Sequence, residues 1–368
     1  MKVLQIGKFY PPHRGGMESV LYDLCEELKD KVDLRVLVAN GGCSTQVEAK
    51  DGLEVIRVGS LGKIFSTSVC PTMAYWIRNS KADIVQLHHP NPMANISYLL
   101  GNQPGKLVIL YQSDIVRQRI TYRLYTPFLM RMLKRAQRII VTTPNYLASS
   151  PLLKKFKEKC VVIPLGIDVR KFDSKGCERA IAAIRSQYGG RVILFVGRLT
   201  HYKGVPYLLE AMRRVSGRLL IIGSGELERQ LRNQAERNNL STKVSFLGEL
   251  RDEEMAPFLH ACDLLVLPSI TRNEAFGLVQ LEAMACGKPV ISTNLETGVP
   301  YVNQTGVTGF IVPPMDSGAL AGAISRLLED DTLRARMGIE GRKRVEGEFT
   351  KERMARETLK LYEEVLAG

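Results

Sequence analysis

Glu274 and Glu282 carry the most specific spacing in the chain, a Glu-x(7)-Glu within Pro268-Ser269-Ile270-Thr271-Arg272-Asn273-Glu274-Ala275-Phe276-Gly277-Leu278-Val279-Gln280-Leu281-Glu282-Ala283-Met284-Ala285-Cys286-Gly287-Lys288-Pro289. The pattern predicts a helix from about Phe276–Gly277 through Ala285, preceded by a loop that holds Glu274. Glu282 then lies about five residues inside the helix, roughly 7.5 Å along its axis at ~1.5 Å per residue. The start of such a helix offers unpaired N–H groups and a positive dipole end, both suited to phosphate. A sugar nucleotide fits this segment. Glu274 meets the sugar hydroxyls, the N–H groups of Ala275, Phe276, Gly277 and Leu278 meet the phosphates, and Glu282 accepts from the ribose diol. The plainer alternative makes Glu282 a half-exposed helix residue and Glu274 a complement to the dipole.

Other loops offer compatible chemistry. Phe195-Val196-Gly197-Arg198-Leu199-Thr200-His201-Tyr202-Lys203-Gly204 places Arg198 and Lys203 just past an apolar run, where two cations suit a departing diphosphate. Solvated surface charges are the competing reading. Gly15 and Gly16, in Phe9-Tyr10-Pro11-Pro12-His13-Arg14-Gly15-Gly16-Met17-Glu18, open a helix where the backbone can approach a phosphate or simply turn tightly. Gly223 and Gly225 form a strand–Gly-x-Gly–helix step, and Thr297 and Gly298 sit in a loop that offers a nest of N–H groups. His88 and His89 close an apolar run and are either site residues or structural ones. There is no Asp-x-Asp triplet and no His/Cys cluster, so no metal site is expected.

Short apolar, β-branched runs position these loops. They alternate with helical patterns such as Met17–Leu28, Val205–Val215 and Glu226–Asn238, which predicts an α/β protein with parallel sheets covered on both faces. Two such series fill 368 residues, giving two doubly wound Rossmann-like domains that face each other across a cleft. The break falls near Pro164-Leu165-Gly166-Ile167-Asp168, so the domains are 1–168 and 169–349, with a helix over about 350–368 packing back on the first.

Apolar residues make up 45% and charged residues 24%, which excludes disorder, collagen and coiled coil as the main class. The net charge of +13 points to an anionic partner, and residues 1–168 hold 23 basic against 13 acidic side chains. Between Ile115 and Arg138 stand Arg117, Arg119, Arg123, Arg131, Lys134, Arg135 and Arg138 with no acidic residue, interleaved with Tyr122, Leu124, Tyr125, Phe128, Leu129, Met132 and Leu133. A basic amphipathic segment of this kind lies on an anionic membrane surface, or packs its apolar side inward beneath a solvated basic face. Aromatic residues are only 7% and no recognition motif appears, so nucleic acid is not expected. Seven scattered cysteines without a Cys-x-x-Cys fit reduced thiols. With no apolar run near bilayer length, the chain reads as cytoplasmic, with a peripheral place on the inner face of the cell membrane left open.

Taken in order, FYPPHRGGME, VIPLGID, FVGRLTHYKG, IIGSGE and the Glu274–Glu282 frame resemble a family 4 retaining glycosyltransferase of GT-B fold, over essentially the whole chain. YQSDIVRQ and NLETGVPYVNQTGVTG are similar to bacterial mannosyl- and rhamnosyltransferases of O-antigen or exopolysaccharide assembly. The resemblance implies Arg198 and Lys203 on the donor diphosphate, Glu274 on the transferred sugar, Glu282 on the ribose, and Gly15 and Gly16 by the phosphates. Gln112 stands where family members often carry a His, and a neutral amide hydrogen-bonds but cannot act as a general base. Ser113 and Asp114 beside it, with His88 and His89, are the acceptor-side candidates. No cofactor is implied. The donor favoured is GDP-mannose, and the acceptor a polyprenyl-diphosphate-linked saccharide. A UDP-sugar donor, a non-transferase GT-B epimerase and a catalytically silent sugar-nucleotide-binding subunit are the alternatives. Lys203 and Glu274 are expected to be exposed, so that replacing either leaves the fold intact.

Overall fold

The computed structural model describes residues 1–13, 15–50, 52–64, 67–115 and 119–368, with backbone alone at Lys50 and 119–122. The chain divides into two compact units, Met1–Gly166 with Lys351–Gly368, and Ile167–Thr350.

The first unit is built on an eight-stranded sheet. Across it run Cys160–Val162, Arg138–Val141, Lys106–Tyr111, Ile84–His89, Lys2–Ile6, Asp33–Ala39, Leu53–Val58 and Gln46–Lys50. The central strands are apolar runs buried along nearly their whole length, as a sheet covered on both faces requires. Neighbouring strands are parallel except at one edge, where Gln46–Lys50 pairs antiparallel with Leu53–Val58. The rest of the sheet is parallel, as the alternation of strand and helix predicts. Gln-Val-Glu-Ala-Lys has no apolar run because it is an exposed edge strand, paired through its ladder to Leu53–Val58 and through Arg57 Nε to Glu48 Oε1 at 3.3 Å. The helix Lys351–Ala367 completes the unit by burying Met354, Ala355, Thr358, Leu361, Tyr362 and Val365 against the helix Gly16–Leu28. Lys351 Nζ reaches Glu27 Oε1 at 3.1 Å across that contact.

The second unit carries a six-stranded, wholly parallel sheet. Its order is Val244–Gly248, Arg218–Ile222, Val192–Val196, Leu264–Leu267, Val290–Thr293, Gly309–Val312. Ile193, Phe195, Leu219, Ile221, Leu264 and Val266 on these strands pack against Leu208, Leu209 and Met212 of the helix Val205–Met212 and against Ile324 and Leu327 of Ser317–Glu329. Because the strands are parallel, the loops after their carboxyl ends all leave from one edge of the sheet. In the second unit these loops include 197–204, 223–227, 268–277 and 294–298. Every donor-side residue singled out in the second half of the sequence, except Leu278 and Glu282 on the helix that follows, lies in one of them.

Candidate functional site

The centre of the second unit's loop edge is a buried ion pair. Lys203 Nζ donates to Glu274 Oε2 at 2.6 Å, and Ser269 Oγ donates to the same oxygen at 2.9 Å. Lys203 is 9% and Glu274 8% exposed, against the expectation that both are freely accessible. The local chain explains the burial. Lys203 ends a single turn of 3-10 helix, His201–Lys203, and Gly204 follows in the left-handed conformation, folded so tightly onto the carbonyl of Pro268 that a Cβ would lie 2.0 Å from it. The backbone of Ile270 then bonds to Tyr202 O at 2.8 Å, which closes the two loops on each other. Burial works to pull the Lys203 ammonium down, yet the neighbouring Glu274 charge and hydrogen bond, with Tyr202, outweigh it and hold the group above its ordinary value. Ser269 is in turn fixed by Thr293 Oγ1, which donates to its carbonyl.

Beside this pair the helix Leu278–Ala285 begins. Gly277 is its N-terminal neighbour at φ 76°, a left-handed position that an L side chain resists. A Cβ there would also press on Leu267 and Gln280. The backbone N–H groups of Ala275, Phe276 and Gly277 bond to no described residue, and the dipole's positive end is near them. Glu282 sits half-buried on the fifth residue of the helix, and Gln280, fully buried, donates Nε2 to Phe276 O at 3.0 Å. Arg198 is exposed, with Nη2 at 3.4 Å from Tyr202 Oη. The structure thus brings Arg198, Lys203, Glu274 and the start of the Glu282 helix to one edge of one sheet.

Three glycines in two of these loops play a different part from the one read in the sequence. Gly223 donates its N–H to Gly248 O at 2.7 Å, and a Cβ on it would lie 2.1 Å from Gly197 O. A Cβ on Gly225 would lie 2.5 Å from Leu199 O. Gly298 N–H is taken by Ala275 O at 2.7 Å, while the Thr297 side chain, fully buried, accepts from Val299 N. These residues lock adjacent loops together, so the backbone groups assigned to phosphate at Gly223 and Gly298 are already used.

In the first unit, Gly15 precedes the helix Gly16–Leu28, and Arg14 lies outside the described residues. His88 and His89 are the last two residues of the strand Ile84–His89 and are 1% and 0% exposed. This corrects their reading as acceptor contacts. His88 Nε2 lies 3.0 Å from Gln5 Oε1 and its Nδ1 3.3 Å from Gln112 Nε2. His89 stacks on Tyr111 with ring centroids 4.5 Å apart, and neither of its nitrogens meets a partner among the described residues. Burial pushes the His88 imidazole down to about 3 and that of His89 to about 4. Gln112 is itself 6% exposed, and its backbone N–H bonds to His89 O. Asp114 Oδ1 accepts from Tyr111 Oη at 2.7 Å, its N–H donates to Tyr146 Oη at 2.6 Å, and Ser113 is half-buried between these residues.

The sequence reading missed Ser269 and the Gln5–Gln86–Tyr362 cluster around His88. Gln5 and Gln86, each in the middle of a strand otherwise apolar, were the available signal. Among the described residues no group of three or more His, Cys, Asp or Glu side chains is placed to hold a metal ion, and no helix is long and apolar enough to cross a membrane.

Cations, a buried carboxylate and a helix start thus share one loop edge of a Rossmann-like sheet, an arrangement suited to an anionic ligand. Residues 178–344 match the model for glycosyl transferases group 1, and residues 14–171 that for Glycosyltransferase Family 4. The chain is 34% identical to O-antigen chain mannosyltransferase C of Escherichia coli, over 100% of this chain and 99% of that one. It is likewise 34% identical to the D-rhamnosyltransferase WbpZ of Pseudomonas aeruginosa, over 95% and 92%. The chain belongs to the family 4 glycosyltransferases. Its fold is GT-B: sucrose-phosphate synthase from Thermosynechococcus elongatus superposes with a TM-score of 0.82 at 23% identity, covering 99% of each chain.

Proposed function

We propose that this glycosyltransferase moves a mannosyl residue from GDP-mannose to a polyprenyl-diphosphate-linked saccharide, with retention of configuration, in O-antigen or related surface-polysaccharide assembly. The observation that carries the reading is the Lys203–Glu274 pair at the head of the Glu282 helix, in a chain one-third identical along its length to two relatives named for mannosyl and D-rhamnosyl transfer.

The chemistry follows from fixed charge. Breaking the bond between the sugar and its diphosphate leaves negative charge on the leaving oxygens. Arg198, the Lys203 ammonium and the N–H groups of Ala275 to Gly277 stabilise that charge without rearranging during the reaction. The requirement for a metal ion is thereby relieved in this reading. Glu274 has one oxygen occupied by Lys203 and Ser269, which lowers its nucleophilicity. It positions the sugar by accepting from hydroxyls, and the acceptor attacks on the face from which the diphosphate departs. The leaving phosphate takes the acceptor's proton. A glycosyl–Glu274 adduct trapped by mass spectrometry would contradict this assignment.

The membrane side of the reading rests on the helix Arg119–Arg135. Leu124 is 73% and Phe128 45% exposed, and Arg123, Arg131 and Lys134 are exposed along the same helix. Tyr125, Leu129, Met132 and Leu133 are buried, so the helix has both a packed face and an amphipathic outer one. Arg117 lies outside the described residues. Apolar side chains standing among exposed cations suit the headgroup layer of an anionic membrane, where a lipid-linked acceptor is found.

A panel of GDP- and UDP-sugars tests the donor. GDP-mannose is expected to give the largest rise in melting temperature and to support transfer to a lipid-linked acceptor mimic. Transfer from a UDP-sugar alone would overturn the donor. Conversion of the sugar nucleotide with no acceptor present would replace the transferase reading with an epimerase.

A further inference from the structure

A buried line of hydrogen bonds in the first unit runs from the helix Lys351–Ala367 to Gln112. Tyr362 Oη accepts from Gln5 Nε2 at 2.8 Å and donates to Gln86 Oε1 at 2.6 Å. Gln5 Oε1 lies 3.0 Å from His88 Nε2, and Gln112 Nε2 lies 3.3 Å from His88 Nδ1. Gln86 Nε2 also approaches His88 Nε2, at 3.4 Å. Gln5, Gln86, His88 and Tyr362 are at most 1% exposed, so no bulk water competes for these bonds.

The direction of the line can be worked out from parity. An amide or a hydroxyl passes direction on, since it accepts on one side and donates on the other. A single imidazole nitrogen does not: it donates to both neighbours or accepts from both. The closed loop Tyr362–Gln86–His88–Gln5 therefore has one edge that cannot be made. The longest edge, Gln86 to His88 at 3.4 Å, is the one sacrificed. His88 then carries its proton on Nε2, bonded to Gln5 Oε1, and its Nδ1 is a bare acceptor for the Gln112 amide nitrogen. No described residue donates to Gln112 Oε1.

We infer that Tyr362, Gln5 and His88 are positioning residues, which hold Gln112 with its amide nitrogen inward and its amide oxygen presented as an acceptor for a saccharide hydroxyl. This rests on the reading that Gln112 belongs to the reacting site. Burial keeps the imidazole neutral well below physiological pH, so the direction of the line holds there.

Nitrogen-15 NMR of histidine-labelled enzyme reads the tautomer directly in the unaltered protein. His88 is expected as the Nε2–H form; the Nδ1–H form would overturn the inference. Tyr362→Phe removes one hydroxyl and little volume. It should mix the two tautomers and lower kcat about five- to tenfold, the worth of one buried hydrogen bond, with donor KM unchanged. Gln112→Met should lose at least as much, and Gln112→Glu, which still offers an oxygen, should recover part of it. Unchanged turnover in Gln112→Met would remove Gln112 from the reaction, and the inference with it. Loss in Gln112→Met with wild-type kcat in Tyr362→Phe would leave Gln112 in the site and overturn the positioning role alone.

Discussion

Lys203 and Glu274 act as one group at the residue scale. At 2.6 Å and about one-tenth exposed, each satisfies a charge that would otherwise be stranded. Removing one partner of a buried pair costs about 3–5 kcal/mol. Lys203→Ala and Glu274→Ala are therefore expected to lower the melting temperature as well as abolish transfer. The double variant Lys203→Met/Glu274→Gln should recover stability without recovering activity, which a double-mutant cycle by urea titration and a transfer assay would show. Arg198 is the contrasting case. It is exposed, so Arg198→Ala should stay within about 0.5 kcal/mol of wild-type stability while donor KM rises or kcat falls. The types of these residues were legible in the sequence because an acidic or basic side chain at a strand's carboxyl end has few structural uses. Their burial was not legible. It follows from Gly204 meeting Pro268 and Ile270 meeting Tyr202, contacts between loops more than sixty residues apart.

At the scale of elements, apolar runs gave away nearly every strand, and the Leu278–Ala285 helix falls within a residue or two of the span its pattern predicts. Gln46–Lys50 escaped because an edge strand needs no apolar face. The helix Arg119–Arg135 was legible as basic and amphipathic, but not which cations are spare. Arg135 is not: it donates to Gln103 O and Asn102 Oδ1 and lies over the Tyr98 ring. Arg131 and Lys134 are exposed, as is Arg123. Reversing both, as Arg131→Glu/Lys134→Glu, should weaken binding to anionic liposomes at least about tenfold, since each basic residue near such a surface is worth about 1 kcal/mol. Neutral liposomes are the control, and an unchanged partition coefficient on anionic ones would remove the membrane reading.

For the molecule as a whole, two buried imidazoles set an acid limit. His88 and His89 stay neutral in the folded state down to about 3 and about 4, whereas an unfolded chain takes up their protons near pH 6.5. Their contribution is complete above that value and is lost as pH falls through it, at about 1.4 kcal/mol per pH unit for each ring. Melting temperature should drop between pH 6.5 and 5, and His89→Phe, which keeps the stack on Tyr111, should make the drop shallower. The return of the helix Lys351–Ala367 has a different consequence, for how the chain is made. Gln5 and Tyr362 are bonded partners 357 residues apart, while residues 167–350 close as a continuous unit. On the ribosome, the first unit must therefore wait for residues 167–350 to be made before the helix Lys351–Ala367 can close it.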